Sequence, residues 1–231
     1  MSYSLASFAS RDALDRALCA RVETILQAGI EDRGQAFCVI SGGSTPLGFF
    51  RLLTKSDLDF SKVTFILADE RWVRPDHPDS NEGAVRRHLL QGPARLATLI
   101  GLFQEGLDIK ANAVSSDQIV QALPLFDVVI LGMGLDGHTA SLFPSATGIE
   151  AALNLEGSAS VVAIQPLSAP NARLSLSAQR LIQTENLILH LTSAEKLAVF
   201  KQAEACQEAA LMPVSRFLNQ SKVALQVVWA P

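Results

Sequence analysis

Short apolar runs alternate along the chain with longer segments whose apolar residues recur every three to four positions. Residues 36–40, 63–68 and 128–131 are almost free of polar interruption and rich in β-branched and aromatic side chains, the pattern of strands buried on both faces of a parallel sheet. Residues 12–27 place Leu14, Leu18, Val22, Ile25 and Leu26 on one helical face, with Ser10 as N-cap and Gly29 near the end. Helical patterns recur after Pro46 through Leu53, from Asn81 through Leu90, and over 114–123, with a short strand at 99–103. This alternation from residue 36 to 131 predicts an α/β fold: a doubly wound, mostly parallel, Rossmann-like sheet, with helices on both faces joined by right-handed crossovers.

Strand patterns continue at 161–164, 173–177, 187–191 and 223–229, and helical ones at 195–208 and 213–218. An apolar, helix-compatible segment follows His138. Residues 145–160, rich in Ser, Gly and Ala, are the loosest stretch and a candidate hinge or cover. There is no repeat, low-complexity tract or sharp boundary, and residues 1–231 read as a single domain.

Composition narrows the classes. With 48% hydrophobic and 18% charged residues over 231 positions, the chain has material for a large core and buries roughly 70% of its unfolded surface. A net charge of −4 gives no general attraction to nucleic acid or an anionic membrane, so neither is an expected partner, and an anionic ligand must be held by local groups. Cys19, Cys38 and Cys206 are far apart and odd in number, without zinc or disulfide spacing, which fits a reducing compartment. The first residues, Met-Ser-Tyr-Ser-Leu followed by Arg11, Asp12 and Asp15, lack a secretory-signal pattern, and no apolar run approaches the ~20 residues of a membrane span. A cytoplasmic location is expected.

Candidate chemistry collects where strands end. After strand 128–131, Gly132, Gly134 and Gly137 surround the ionisable pair Asp136 and His138, which makes His138 a catalytic candidate; the plain alternative is a connecting loop with a structural histidine. After strand 36–40, the stretch Ser41-Gly42-Gly43-Ser44-Thr45-Pro46 offers free amides, hydroxyls and a helix start, an arrangement suited to a phosphate. It lacks the Walker lysine and the dinucleotide glycine spacing, which favours a small phosphorylated metabolite. The third strand delivers Asp69, Glu70 and Arg71 to the same edge, as base, orienting acid or a solvated cluster. His77 lies in a polar loop and reads as a surface histidine, and Lys196, in the first turn of a helix, suggests a nearby anion or an ordinary surface lysine.

The motifs Ser41-Gly42-Gly43-Ser44-Thr45-Pro46, Asp69-Glu70-Arg71, Ser80-Asn81-Glu82-Gly83 and the run from Gly132 to Pro144 closely resemble those of the glucosamine-6-phosphate isomerase/6-phosphogluconolactonase family, with weaker matches at Arg173 and Lys196. The resemblance spans nearly the whole chain and lies with the lactonase branch. Deaminases of the family have a glutamate where this chain has Phe143. It implies hydrolysis of 6-phospho-D-glucono-1,5-lactone to 6-phospho-D-gluconate, an early step of the oxidative pentose phosphate route, without metal or organic cofactor. On that reading His138 is the general base, Asp69 orients or polarises His138 or a substrate hydroxyl, and Arg71 positions the sugar or the acid. The amides and hydroxyls of Gly42, Gly43, Ser44 and Thr45 hold the phosphate, with Arg173 and Lys196 as charged partners. The amides around Gly132 to Gly134 are candidates for the oxyanion. Rival readings are sugar-phosphate deamination or isomerisation, a non-catalytic sugar-phosphate sensor, and metal hydrolysis, the last disfavoured because His77 and His138 have no recognisable ligand set. The expected state is a monomer or weak homo-oligomer.

Overall fold

In this computed structural model, which describes residues 3–231, ten strands and eight helices are defined. Met1 and Ser2, the start of the segment weighed above as a secretory signal, lie outside the described residues. The strands are β1 (Tyr3–Ser7), β2 (Ala36–Ile40), β3 (Val63–Leu67), β4 (Asp69–Arg71), β5 (Thr98–Ile100), β6 (Val128–Leu131), β7 (Val161–Ile164), β8 (Arg173–Leu176), β9 (Leu187–Thr192) and β10 (Leu225–Ala230). The helices are α1 (Arg11–Arg33), α2 (Leu47–Leu53), α3 (Asn81–His88), α4 (Ile109–Gln121), α5 (Ile149–Leu153), α6 (Ala178–Leu181), α7 (Ala194–Ala205) and α8 (Val214–Leu218).

Seven strands form one parallel sheet in the order β1-β10-β9-β6-β2-β3-β5. The chain winds outward from β2 through β3 to β5, then returns to β6 on the other side of β2 and winds outward again through β9 and β10. The chain thus winds in opposite directions from β2, the doubly wound α/β type expected from the alternating pattern, in which right-handed crossovers put helices on both faces. The strand order reverses between β2 and β6, which pair from Cys38–Val128 to Ile40–Ile130. Every residue of both strands is buried, the physical origin of their uninterrupted apolar sequences.

A second, three-stranded antiparallel sheet, β4-β8-β7, stands beside the first. The chain leaves β3, passes Ala68 and joins this sheet directly as β4, so the Asp69-Glu70-Arg71 triplet is ladder rather than loop. Arg71 pairs in register with Arg173.

Several boundaries differ from expectation. α1 runs six residues past Gln27, to a left-handed Gly34 whose amide donates to Ile30. Gly29 therefore lies inside the helix, and the reason is packing: a Cβ there would sit 2.5 Å from Oδ1 of buried Asp127, which binds Arg33 and the Phe37 amide. β1, absent from the pattern reading, is a half-exposed edge strand that pairs with β10. α4 starts five residues before position 114, because Asp108 caps the amides of Lys110 and Ala111. No helix follows His138; residues 139–148 turn repeatedly, with Ala140 and Ser145 in left-handed conformations. The 145–160 stretch contains α5, whose Ile149, Ala152 and Leu153 are buried, and it lines no part of the cleft described below. Among the described residues no helix is long and apolar enough to cross a membrane.

Candidate active site

A cleft of about 260 Å³ opens at the carboxyl ends of β2 and β6, where the strand order reverses. The two strand ends are tied together there by the Ser41 hydroxyl, which donates to the Ile130 carbonyl at 3.1 Å. On the β2 side the wall is Ser41 to Thr45. Gly43 takes φ 89, and among the described residues none of the amides of Gly42, Gly43, Ser44 and Thr45 donates a backbone hydrogen bond. Lys196, in the first turn of α7, donates from Nζ to Thr45 Oγ1 at 3.5 Å. Burial first, then Arg11, pulls the Lys196 pKa down. Free amides, two hydroxyls and one ammonium thus converge, as the sequence pattern required of a phosphate pocket. α2 is only seven residues long and contributes little through its dipole.

Gly42 has a second role. A Cβ on it would fall 2.0 Å from Oδ1 of Asn81, so the loop packs flat against that side chain. Asn81 in turn donates from Nδ2 to the Asp69 carbonyl at 2.9 Å. The start of α3 is fixed by Glu70, fully buried, whose Oε1 accepts from the amides of Arg71 and Asn81 and whose Oε2 accepts from the Ser80 hydroxyl and the Glu82 amide. Burial raises the Glu70 pKa, against these hydrogen bonds, which lower it. Glu70 is therefore a structural anchor that sets Asn81 against the phosphate loop.

On the β6 side the glycine loop delivers His138. Its Nδ1 lies 2.5 Å from Oδ1 of Asp136, and the same oxygen accepts the His138 amide at 3.1 Å. Burial works to raise the Asp136 pKa, but the hydrogen bonds and charge of His138 prevail and the net shift is downward. The carboxylate is thus ionised and can only accept, so Nδ1 carries the proton, and in the neutral form of the ring the lone pair is on Nε2. The ring is fixed from two further sides. Phe143 stacks on it with centroids 4.2 Å apart at 24°, and Gly134 leaves the space that a Cβ would take at 2.2 Å from Cε1 and Nδ1.

Of the residues singled out from sequence, Gly42, Gly43, Ser44, Thr45, Asp69, Arg71, His138 and Lys196 all line this cleft. Of the two partners expected for Asp69, His138 is not the one it bonds: its Oδ2 accepts the Ser141 hydroxyl at 2.5 Å, and the partner of the histidine is Asp136. Arg173 is not among the residues that line the cleft. It is buried beside Arg71 in the small sheet, donates to the Pro170 carbonyl at 3.1 Å and lies 5.6 Å from the Phe143 ring centre, behind the histidine. Burial first, then Arg71, lowers its pKa. The Gly134 amide, a candidate for the oxyanion, already donates to the His138 carbonyl at 2.9 Å. His77 stays on the surface, accepting the Asp79 amide at 3.1 Å, outside the cleft lining.

Asn81 and His190 line the cleft without having been singled out. The Ser80-Asn81-Glu82-Gly83 motif contained the signal for Asn81; His190 is one polar residue inside an apolar strand, and nothing in the pattern distinguishes it from packing. Among the described residues no three His, Cys, Asp or Glu side chains converge as a metal site would require.

A doubly wound sheet with a phosphate-ready loop and an Asp–His couple facing each other across the switch point defines a class: α/β proteins built to act on small phosphorylated metabolites. The chain belongs to the family of glucosamine-6-phosphate isomerases/6-phosphogluconolactonase, whose model matches residues 9–229. It is 41% identical over 206 residues to a 6-phosphogluconolactonase of Pseudomonas putida, covering 89% of this chain and 84% of the relative. It is 39% identical to one of Rhizobium meliloti over the full length of both. The crystal structure of a 6-phosphogluconolactonase from Shewanella baltica superposes with a TM-score of 0.95 at 39% identity, covering 99% of this chain and 98% of that one.

Proposed function

We propose that this chain hydrolyses 6-phospho-D-glucono-1,5-lactone to 6-phospho-D-gluconate. The observation that carries the reading is the Asp136–His138 couple, held across the cleft from the Gly42–Thr45 loop and Lys196. The family likeness supplies the substrate; the geometry supplies the chemistry.

The phosphate is held by the free amides and hydroxyls of Gly42 to Thr45 and by Lys196, which leaves the lactone carbonyl toward the β6 loop. Nε2 of His138 takes a proton from water as the water oxygen bonds to C1, and the carbonyl becomes an oxyanion. As that intermediate collapses, the bond from C1 to the ring oxygen breaks and the imidazolium returns its proton to the departing oxygen. Asp136 keeps the ring in the right tautomer and stabilises the imidazolium while it lasts. Arg71, at the cleft, positions the sugar, with Arg173 adding positive charge behind it. Asp69, held by Ser141, lines the cleft as an acceptor for a sugar hydroxyl.

Deamination is the weaker reading because the position next to the histidine that resembles a catalytic glutamate in that branch is Phe143, which stacks on the imidazole and supplies no acid. The hydrophobic core runs from Leu14 to Ala230, which supports a single domain, and a monomer or weak homo-oligomer is the state we propose. A cytoplasmic setting fits a metabolic enzyme with this substrate.

The test follows 6-phosphogluconate formation from lactone generated in place, above the spontaneous rate. Wild type should show rapid enzyme-dependent hydrolysis, and His138→Ala should lose about 100- to 10,000-fold of kcat while remaining folded. Binding of sugar phosphates without turnover would favour the sensor instead.

A further inference from the structure

One buried ionisable group of the cleft has no part in the mechanism above. His190, on β9, is 2% exposed and lines the cleft together with Thr45 and Lys196. Its Nε2 has no hydrogen-bond partner among the described residues. A polar atom taken out of water in this way is costly unless a ligand or a change of protonation compensates it, and at the wall of a binding cleft it points to recognition.

The charges around the ring are asymmetric. Asp15 Oδ1, on α1, lies 3.8 Å from Nε2. Asp15 sits among Asp12 and Arg11 of its own helix and Arg51 of α2, and its pKa is raised chiefly by burial. Lys196 of α7, which lines the same cleft, repels a charge on the histidine, with Arg11 near it in turn, while β10 presents Val228 in register. Burial first, then Lys196, holds the His190 pKa down to about 4, so the ring is neutral near pH 7. An anion with two negative charges placed on the loop beside Lys196 would cancel the lysine's repulsion and add an attraction of opposite sign. The imidazolium would then have two negative neighbours, the Asp15 carboxylate and the anion beside Lys196.

We propose that His190 is a specificity-determining residue of this cleft: it takes up a proton when a phosphate dianion settles beside Thr45 and Lys196, and so favours phosphorylated sugars over uncharged ones. The proton comes from solvent, and no covalent bond to the ligand is made. The inference rests on the reading of the Gly42–Thr45 loop and Lys196 as the phosphate end of the site.

Calorimetric titration of wild type with 6-phosphogluconate and with gluconate, in buffers of different ionisation enthalpy near neutral pH, measures the proton directly. Uptake should accompany the phosphorylated ligand and not gluconate, and should vanish in His190→Gln. In that variant KM for the phosphorylated lactone should rise roughly 10- to 100-fold, with the loss in KM rather than kcat. The loss should be far smaller for unphosphorylated glucono-1,5-lactone. Nitrogen NMR of the imidazoles in wild type, with and without inorganic phosphate, decides the point even if the variant does not fold: the His190 signals should move toward the protonated form. Unmoved signals, undiminished uptake in His190→Gln, or equal losses on both lactones would overturn the proposal. Failure of the lactonase reading looks different: wild type would turn over no lactone while phosphate-linked proton uptake persisted.

Discussion

The carboxylate of Asp136 and the imidazole of His138, two residues apart in one turn, are joined at 2.5 Å from Oδ1 to Nδ1. The short separation along the chain makes the couple a local product of the glycine loop, independent of how distant elements pack. Asp136→Asn would leave the turn intact and offer an amide that can present either oxygen or NH₂ to Nδ1, so the tautomer with a free Nε2 lone pair is no longer enforced. We expect kcat to fall roughly 100-fold with KM little changed, measured by the coupled lactonase assay.

The same couple has a pH signature. Because the Asp136 pKa is depressed in the folded chain, its ionised form contributes stability that is present above the ordinary carboxylate value and is lost as pH falls through the depressed one. Denaturant titrations of wild type and Asp136→Asn should therefore differ at pH above the ordinary carboxylate value and converge as pH falls through the depressed one. A difference that persists undiminished below the depressed value would contradict the assigned ionisation state.

Gly42 meets Asn81 so closely that a single methyl group is a test of the phosphate wall. A Cβ placed 2.0 Å from the Asn81 Oδ1 cannot be absorbed without moving the asparagine, which is itself held by the Asp69 carbonyl. Gly42→Ala should cost about 1–3 kcal/mol of stability by overpacking and raise KM for the phosphorylated lactone. Adding Asn81→Ala should recover part of the stability, because it removes the group in collision, and a double-mutant cycle reads the coupling.

Much of the scaffold was legible in the chain because its parts are local. β2 and β6 match the expected spans to the residue, since strands buried on both faces leave no choice but continuous apolar sequence, and β7, half-buried at its centre, matches as well. The turning segment 139–148 was not legible: Leu142 and Phe143 are buried as a helix face would be, but the left-handed backbone at Ala140 and Ser145 is set by packing, not propensity. The cleft divides in the same way. The loops of Gly42 to Thr45 and of Gly132 to His138 are runs of contiguous residues, and their place at the cleft was legible from those runs. Arg173 was assigned to the phosphate loop and lies behind the histidine because the register between β4 and β8 is a long-range fact that no local pattern encodes. The sequence leaves Asp69 open between His138 and a substrate hydroxyl for a related reason: the loop pairs Asp136 with His138 in sequence, and only the turn geometry shows which acid reaches the ring.

Glu70 holds α3 with both oxygens, each accepting two donors. In Glu70→Gln, an NH₂ in place of Oε1 faces the amides of Arg71 and Asn81, and one in place of Oε2 faces the Glu82 amide, so at least one buried hydrogen bond is lost. Relief of carboxylate burial, the cause of the raised pKa, offsets part of this. The expected net loss is about 2–4 kcal/mol in chemical denaturation, with weaker substrate binding as Asn81 loosens, and a neutral effect would mean that the carboxylate is not the anchor described.

Phe143 occupies the position where an acid would be needed for ring-opening chemistry and instead lies against the His138 ring, with Arg173 behind it. Its role is thus to fix the plane of the imidazole by contact. Phe143→Leu keeps the site apolar and close in volume, costs about 1 kcal/mol of stability and removes the flat surface. Freed from one face, the ring samples rotations about its Asp136 hydrogen bond, and fewer of them aim Nε2 at the attacking water. The expected result is a fall of roughly tenfold in kcat with KM nearly unchanged, since misplacement of about 1 Å in a catalytic group costs up to ~100-fold. A variant with full kcat would show that Asp136 and the glycine loop alone suffice to orient the base, leaving Phe143 as core filling.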